Sequence, residues 1–547
     1  MGRVLRIASS AKRRPGVPLG LLLITAAILP IAACTALTAW LAPPNSADAM
    51  AYHMPRVVYW AQSASVAFFP TPYFNQITLS PLAEYLMLHS YILTGGDHFI
   101  NLLTCLAFLA GIVAVSSLAG ALGLGRNGQA LAALFCATLP NGILQASGAK
   151  NDTLLALCLV LMVYFALRRN APLAGTALGL ALATKATAYL FAPPLLVAAM
   201  LLPVPIKRPE LRRTLVWLAA GVLLVNTPQY VRNLRLSGSP LGYDSAQGDG
   251  FFRWRNEHPG WRSTISNALR HASDQLGARS PRWNQAVYDA VLRAHRALGL
   301  EPRDPATTWR WSRYEPPRNA NHEANANNRW HLLLLAAAVV LAASRRDRRW
   351  LLYAAAALSA WLLFCFYLKW QPYLARLELP LFVLAAPLGA WLLDAVRPRA
   401  LTVLVCLFLL TGARLPASAN WTRPLRGPQS LFRTARDANY FHDMGQWNNR
   451  ASYLESVDLA ARSGCALIGV DISENQLEYP FQALLRERRP EVRFVHTGVE
   501  NASARYYPVP MPHPCAVWCP DCAGNAKKLE LYRAYGTPRV IGRFLFW

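Results

Sequence analysis

The feature that most constrains this chain is a series of apolar runs, each roughly a bilayer thick or somewhat less, separated by short basic clusters. A bilayer core needs about 20 apolar residues of helix to cross it. The runs fall at 17–42, 98–124, 129–146, 153–167, 171–184, 187–206, 214–231, 330–344, 350–368, 377–396 and 400–416. A mainly α, polytopic membrane protein of about eleven spans is therefore expected. The stretch 171–206 is the ambiguous one. Arg168 and Arg169 precede it, and Lys207, Arg208, Arg212 and Arg213 follow it. If both clusters stay on one side, the run crosses twice and turns near Lys185.

Composition agrees. Of 547 residues 54% are hydrophobic and 15% charged, with mean hydropathy +0.20. Soluble proteins carry about 25% charged residues. The net charge of +26 and pI near 10.1 would suggest nucleic acid in a soluble chain. Here the basic residues lie between apolar runs, which is how a multi-span protein sets its orientation, so nucleic-acid binding is set aside. The basic N-terminus MGRVLRIASSAKRRPG and the box Ile31–Cys34 look like a signal peptide. The run is long and many more follow, so it is read as an uncleaved first helix. With the N-terminus inside, 43–97, 147–152, 232–329, 369–376 and 417–547 fall outside.

Four polar groups converge on that outer face. Asp48 leads the first loop, in NSADAMAYHMPRVVYWAQ with Tyr52, His53 and Arg56. Glu84 and Asp97 lie later in the same loop. Asp152 follows Lys150 and Asn151 in GAKNDTLL, and Lys369 and Arg376 lie in LKWQPYLARLELP. Cations can hold a lipid-borne phosphate, and a carboxylate can take a proton from an acceptor. Taken singly, each has a plainer role: Asp152 as a helix cap, Arg376 as an interfacial anchor, His53 as a packing residue. No HExxH, P-loop or GxSxG signature is present.

The two outer parts differ. In 232–329, Gly238, Pro240 and Gly242 make a turn. HEANANNRW reads as too polar for a core, either a lid or a linker. In 417–547, CALIGVDIS, NQLEYPFQALLRER and VRFVHTG read as strand, helix and strand of a small α/β accessory domain. Its Cys465, Cys515, Cys519 and Cys522 are open to disulfides, zinc or free thiols, with disulfides favoured outside the membrane. The other six cysteines lie in spans as packing residues.

Asp48 just outside the first span, PLAEYLMLHSYILTGGDHFINLL and KWQPYLARLELP together resemble the GT-C membrane glycosyltransferases, in the branch of protein O-mannosyltransferases and lipid A aminoarabinose transferases. The resemblance covers residues 17–416 in topology. It departs from the family at Asp48-Ala49, where Asp-Glu is usual, and at Ser80-Pro81, where Lys precedes paired prolines. The resemblance implies an inverting transferase in a bacterial inner membrane, its C-terminal domain periplasmic. The sugar passes from a polyprenyl-phosphate donor to a glycan, lipid or protein acceptor. It assigns Asp48 as base and gives Asp152 a catalytic part. Lys369 and Arg376 hold the donor phosphate, and Tyr52, His53, Arg56, Glu84 and Lys150 contact substrate. No cofactor or metal is required. The rival readings are a flippase of lipid-linked sugars and a non-catalytic envelope assembly partner.

Overall fold

The computed structural model describes residues 19–202, 204–243, 254–310, 312–443, 449–473 and 476–547. The basic N-terminal segment lies outside the described residues. Among the described residues, six helices are long and apolar enough to cross a membrane: Gly20–Leu41, Ile100–Ala121, Arg208–Ser237, Arg348–Tyr367, Leu374–Ala395 and Arg399–Ser418. Four more, Asp152–Leu167, Ala171–Thr184, Ala188–Leu201 and Arg329–Ser344, are apolar but shorter.

The run 171–206 does split where the charges require. One helix ends at Thr184, Lys185 is extended, and the next begins at Ala188. The run 129–146 is not one span. It is two short helices, Arg126–Ala137 and Pro140–Gln145. Pro140 is the cause. It pushes Leu139 into the extended region and starts a new helix in its own first turn. The helix Arg208–Ser237 overruns its expected 214–231 at both ends and stops only at Gly238, whose φ of 73° is readily adopted by glycine.

Small residues let two helices meet closely. A Cβ on Gly175 would lie 2.0 Å from the Trp217 carbonyl oxygen, and one on Gly221 would lie 2.1 Å from the Gly175 carbonyl oxygen. Between apolar helices such backbone contact supplies attraction that the hydrophobic effect does not.

The large outer loop carries two helices, Trp261–Gln275 and Pro281–Ala297. The segment read as lid or linker is neither loose nor exposed. Glu323 and Asn328 are fully buried, and Asn141 and Gln145 donate to the Glu323 carbonyl at 3.1 and 2.6 Å. Its polarity serves partners, not solvent.

The tail builds a five-stranded sheet in the order β2-β1-β3-β5-β4, with β1 Leu467–Val470, β2 Arg493–His496, β3 Ala516–Cys519, β4 Arg539–Ile541 and β5 Phe544–Phe546. As expected, β1, the helix Tyr479–Arg488 and β2 form a parallel unit. The remaining strands are too short to show a period of two. Cys465 bonds Cys515 and Cys519 bonds Cys522, which follows the disulfide reading. The other six cysteines are free. The sheet's core continues into the first outer loop, since Val57, Val58 and Tyr59 share one buried cluster with Phe481 and Trp518. Gln62 exchanges two hydrogen bonds with the Phe494 backbone, at 2.6 and 3.0 Å.

Candidate functional site

Asp48 lies where the chain leaves the first helix and enters a single π-turn, Ala49–His53, that leads into the helix Met54–Ser63. Such turns are uncommon and recur at functional sites. The approach to Asp48 is fixed from three sides. Asn101 donates to the Ala42 carbonyl at 2.9 Å. Asn45 donates to the Thr422 and Asn439 carbonyls at 3.0 and 2.8 Å. The Ala47 amide donates to Asp443 at 3.1 Å.

The carboxylate of Asp48 meets Arg376 at 2.5 Å. Arg376 comes from a 3-10 turn, Leu374–Glu378, just ahead of the helix Leu379–Ala395. Burial alone would raise the Asp48 carboxyl. The charges of Arg376, Lys150 and His53 outweigh it and hold the group well below the ordinary carboxylate range. Tyr52 hydrogen-bonds Asp48, and its hydroxyl is pushed up by burial and by that charge. Lys150 is pushed down to about 7, first by burial and then by repulsion from Arg376, although Asp48, Asp443 and Asp152 pull it back.

Around this pair runs a ring of further charges. Lys185 donates to Asp152 at 2.6 Å and to Asn151 at 3.0 Å. Asp152 is thus held by a cation and makes no capping bond, contrary to its plainer role as a helix cap. Its Oδ2 is buried without a hydrogen-bond partner among the described residues, and so is Arg376 Nε. Lys150 pairs with Glu323 at 2.7 Å. The other oxygen of Glu323 pairs with Arg423, which in turn donates to Asn45 at 2.8 Å. His322 Nε2 lies 2.7 Å from Asp443. Within this ring Asp48 keeps 22% of its side chain exposed, Lys185 18%, His322 16% and Arg376 15%, against 1% for Asp152. Reactants can therefore reach Asp48 and the cations beside it.

Asp48, Lys150, Asp152 and Arg376 are brought together. Other expected site residues are placed differently. Lys369 donates to Glu257 at 2.6 Å and to the Pro305 carbonyl at 2.9 Å, so it does not share Arg376's partners. Arg56 and Glu84 are fully enclosed and paired at 3.2 Å, with His53 on the same Glu84 oxygen at 2.9 Å. Arg56 also donates to the Gln76 and Leu79 carbonyls. This triad braces the first loop from behind, and substrate contact by Arg56 or Glu84 is corrected to that role because neither side chain reaches the surface. Glu323, Arg423, Asp443, His322 and Lys185 were not singled out as site residues from the sequence. For Asp443 no motif offered a signal. For Lys185 the signal existed, as a lone cation at a predicted turn facing Asp152.

Residues 79–230 match a family model described as dolichyl-phosphate-mannose-protein mannosyltransferase. No curated protein matches the chain by sequence. By structure the chain is similar to ArnT from Cupriavidus metallidurans bound to undecaprenyl phosphate, with a TM-score of 0.51 at 14% identity over 96% of this chain and 97% of that one. The same protein in its apo state gives 0.50 at 14% identity, with the same coverage. The Archaeoglobus fulgidus oligosaccharyltransferase tethered with an acceptor peptide gives 0.48 at 12% identity over 88% of this chain and 64% of that one.

Proposed function

We propose that this chain, a membrane protein with the GT-C glycosyltransferase fold, transfers a sugar from a polyprenyl-phosphate donor to an acceptor on the outer face of a bacterial inner membrane. Support comes from the family-model match over 79–230 and from the full-length likeness to a protein solved with undecaprenyl phosphate. The observation that carries the reading is the partly exposed Asp48–Arg376 pair, paired at 2.5 Å and set in a ring of further charges at the ends of apolar helices. A flippase would want its charges deep within interrupted helices. Here Asp152 opens a helix, Lys185 follows one, Arg376 precedes one and Asp48 lies beyond one.

The reaction proceeds by inversion. Arg376 holds the donor phosphate with the buried charge of Lys150 behind it, while Asp152 keeps Arg376 aligned through charge. Occupation of Arg376 by phosphate removes the cation that keeps Asp48 a feeble base, and the phosphate's own negative charge raises the carboxyl further. Asp48 then accepts the proton of the acceptor's hydroxyl or amine. That atom forms a bond to the anomeric carbon from the face opposite the phosphate. The carbon–oxygen bond to phosphate breaks, and polyprenyl phosphate leaves with the electron pair, its charge met by the two cations. No general acid is needed for so good a leaving group, and the scheme requires neither metal nor cofactor. Asp443 positions Asp48 through the Ala47 amide.

The test uses purified protein in lipid with a panel of polyprenyl-phosphate sugars. Donor consumption by wild type, and none by a folded Asp48→Asn variant that still binds undecaprenyl phosphate, is expected. Equal turnover in both variants would sink the assignment of the base.

A further inference from the structure

Away from Asp48, the turn that follows the helix Leu82–Thr94 faces the helix Tyr479–Arg488 across a cleft of about 510 Å³. That volume lies in the range of small-molecule sites. Its floor is built. Asp97 is 6% exposed and accepts from Tyr440 at 2.6 Å, Tyr479 at 2.8 Å and Arg436 at 2.8 Å. One wall offers Ile92, Gly96 and His98, and the other offers Arg486, Glu487 and Pro490. Arg486 reaches Tyr91 at 3.3 Å, while Glu487 has no ion-pair partner among the described residues.

The chemistry of these walls selects a ligand class. Arg436 compensates the Asp97 charge, and Arg486 stands beside Glu487, so the cleft lacks the surplus of cations a phosphate needs. It offers a carboxylate to accept from hydroxyls, a guanidinium and an imidazole to donate to them, and short apolar surfaces for C–H faces. A neutral hydroxyl-rich ring meets all three. Exposed apolar residues neighbour the cleft. Ile92 is 60% and Leu93 71% exposed, and Phe99, 42% exposed, precedes the apolar helix Ile100–Ala121. The cleft therefore lies beside one end of that helix.

We propose that this cleft is a saccharide subsite, formed jointly by the first outer loop and the C-terminal domain, that grips a neutral sugar unit of the acceptor. The inference rests on the glycosyltransferase reading for the word acceptor, and on the cleft alone for the word saccharide. The test is saturation-transfer NMR on the full-length protein in nanodiscs, with glucose, galactose, N-acetylglucosamine and its β1,4-linked dimer as probes. Gly96→Trp fills the cleft, and the glycine tolerates a side chain because a Cβ there meets nothing within 4 Å. Glu487→Gln removes only the free carboxylate.

At least one probe is expected to bind wild type, to be abolished by Gly96→Trp and to weaken about fivefold or more in Glu487→Gln. Undecaprenyl phosphate binding should be unchanged in both. Probe binding that survives both variants, or no probe bound by a wild type that still binds undecaprenyl phosphate, overturns the subsite. Probe binding lost in Gly96→Trp, by a protein that never binds undecaprenyl phosphate, upholds the saccharide cleft and overturns the transferase reading. A glycolipid bearing the same sugar that outcompetes the free sugar identifies a membrane-borne source. Equal competition identifies a soluble glycan.

Discussion

Arg376 Nη1 lies 2.5 Å from Asp48 Oδ2, so the group that would take the proton and the group that would hold the phosphate rest against each other. The donor must separate them. Arg376→Lys keeps the charge but loses the planar fork that spans a carboxylate and a phosphate. Donor affinity should fall about tenfold or more, and turnover further, measured by undecaprenyl phosphate titration alongside sugar transfer.

Lys150 gives the reaction a pH signature. Its ammonium is pushed down to about 7, so it is charged below that pH and neutral above. On the proposed mechanism, loss of that charge weakens the positive field that holds the phosphate, and kcat/KM should therefore fall as pH rises through about 7. In Lys150→Arg the charge persists, and the alkaline limb should move up by two units or more. Stability should run the other way. Between about 7 and the usual lysine value the unfolded chain holds the extra proton, so wild type gains stability as pH rises.

The Lys150–Glu323–Arg423 chain is almost wholly enclosed. Arg423→Met leaves Glu323 with one cation and should destabilise the fold by about 3–5 kcal/mol. Thermal unfolding in detergent reads this directly. Adding Glu323→Gln removes the stranded anion but also the partner of Lys150, so part of the loss should be recovered above about pH 7, where Lys150 is neutral.

Asp443 touches the backbone beside Asp48, not the reacting atoms. Asp443→Ala should lower kcat by about 10- to 100-fold, the scale of a misplaced group, while the donor Kd stays within about twofold. A matching loss of donor binding would move Asp443 into the phosphate site.

Gly175→Ala should force two helices apart, since the Cβ would lie 2.0 Å from a carbonyl oxygen. A cost of about 1–3 kcal/mol is expected for such overpacking. Gly111→Ala, inside the helix Ile100–Ala121 with nothing within 4 Å of its Cβ, is the control and should leave the melting temperature unchanged or raise it, since alanine is the better helix former.

Much of the membrane part was legible because a bilayer imposes one rule on every span, and charges mark the turns, as at Lys185. Asp48, Lys150, Asp152 and Arg376 could be picked out since each stands within a few residues of an apolar helix end, on one predicted side. What stayed hidden depended on partners remote in the chain. HEANANNRW looks like linker because its Asn and Glu pair with Asn141, Gln145, Lys150 and Arg423, and nothing local records that. Arg56 and Glu84 looked available for substrate because a buried ion pair and an exposed one have the same letters. Pro140 was the readable sign of the broken helix, and the apolar run around it masked that sign.

The turn bearing Asp48 is tied to Thr422, Asn439 and Asp443, which the ribosome adds only after the last apolar helix, Arg399–Ser418. A nascent or prematurely terminated chain lacks these ties, however well its earlier helices are inserted. The geometry around Asp48 is thus set only once residues beyond that helix are in place.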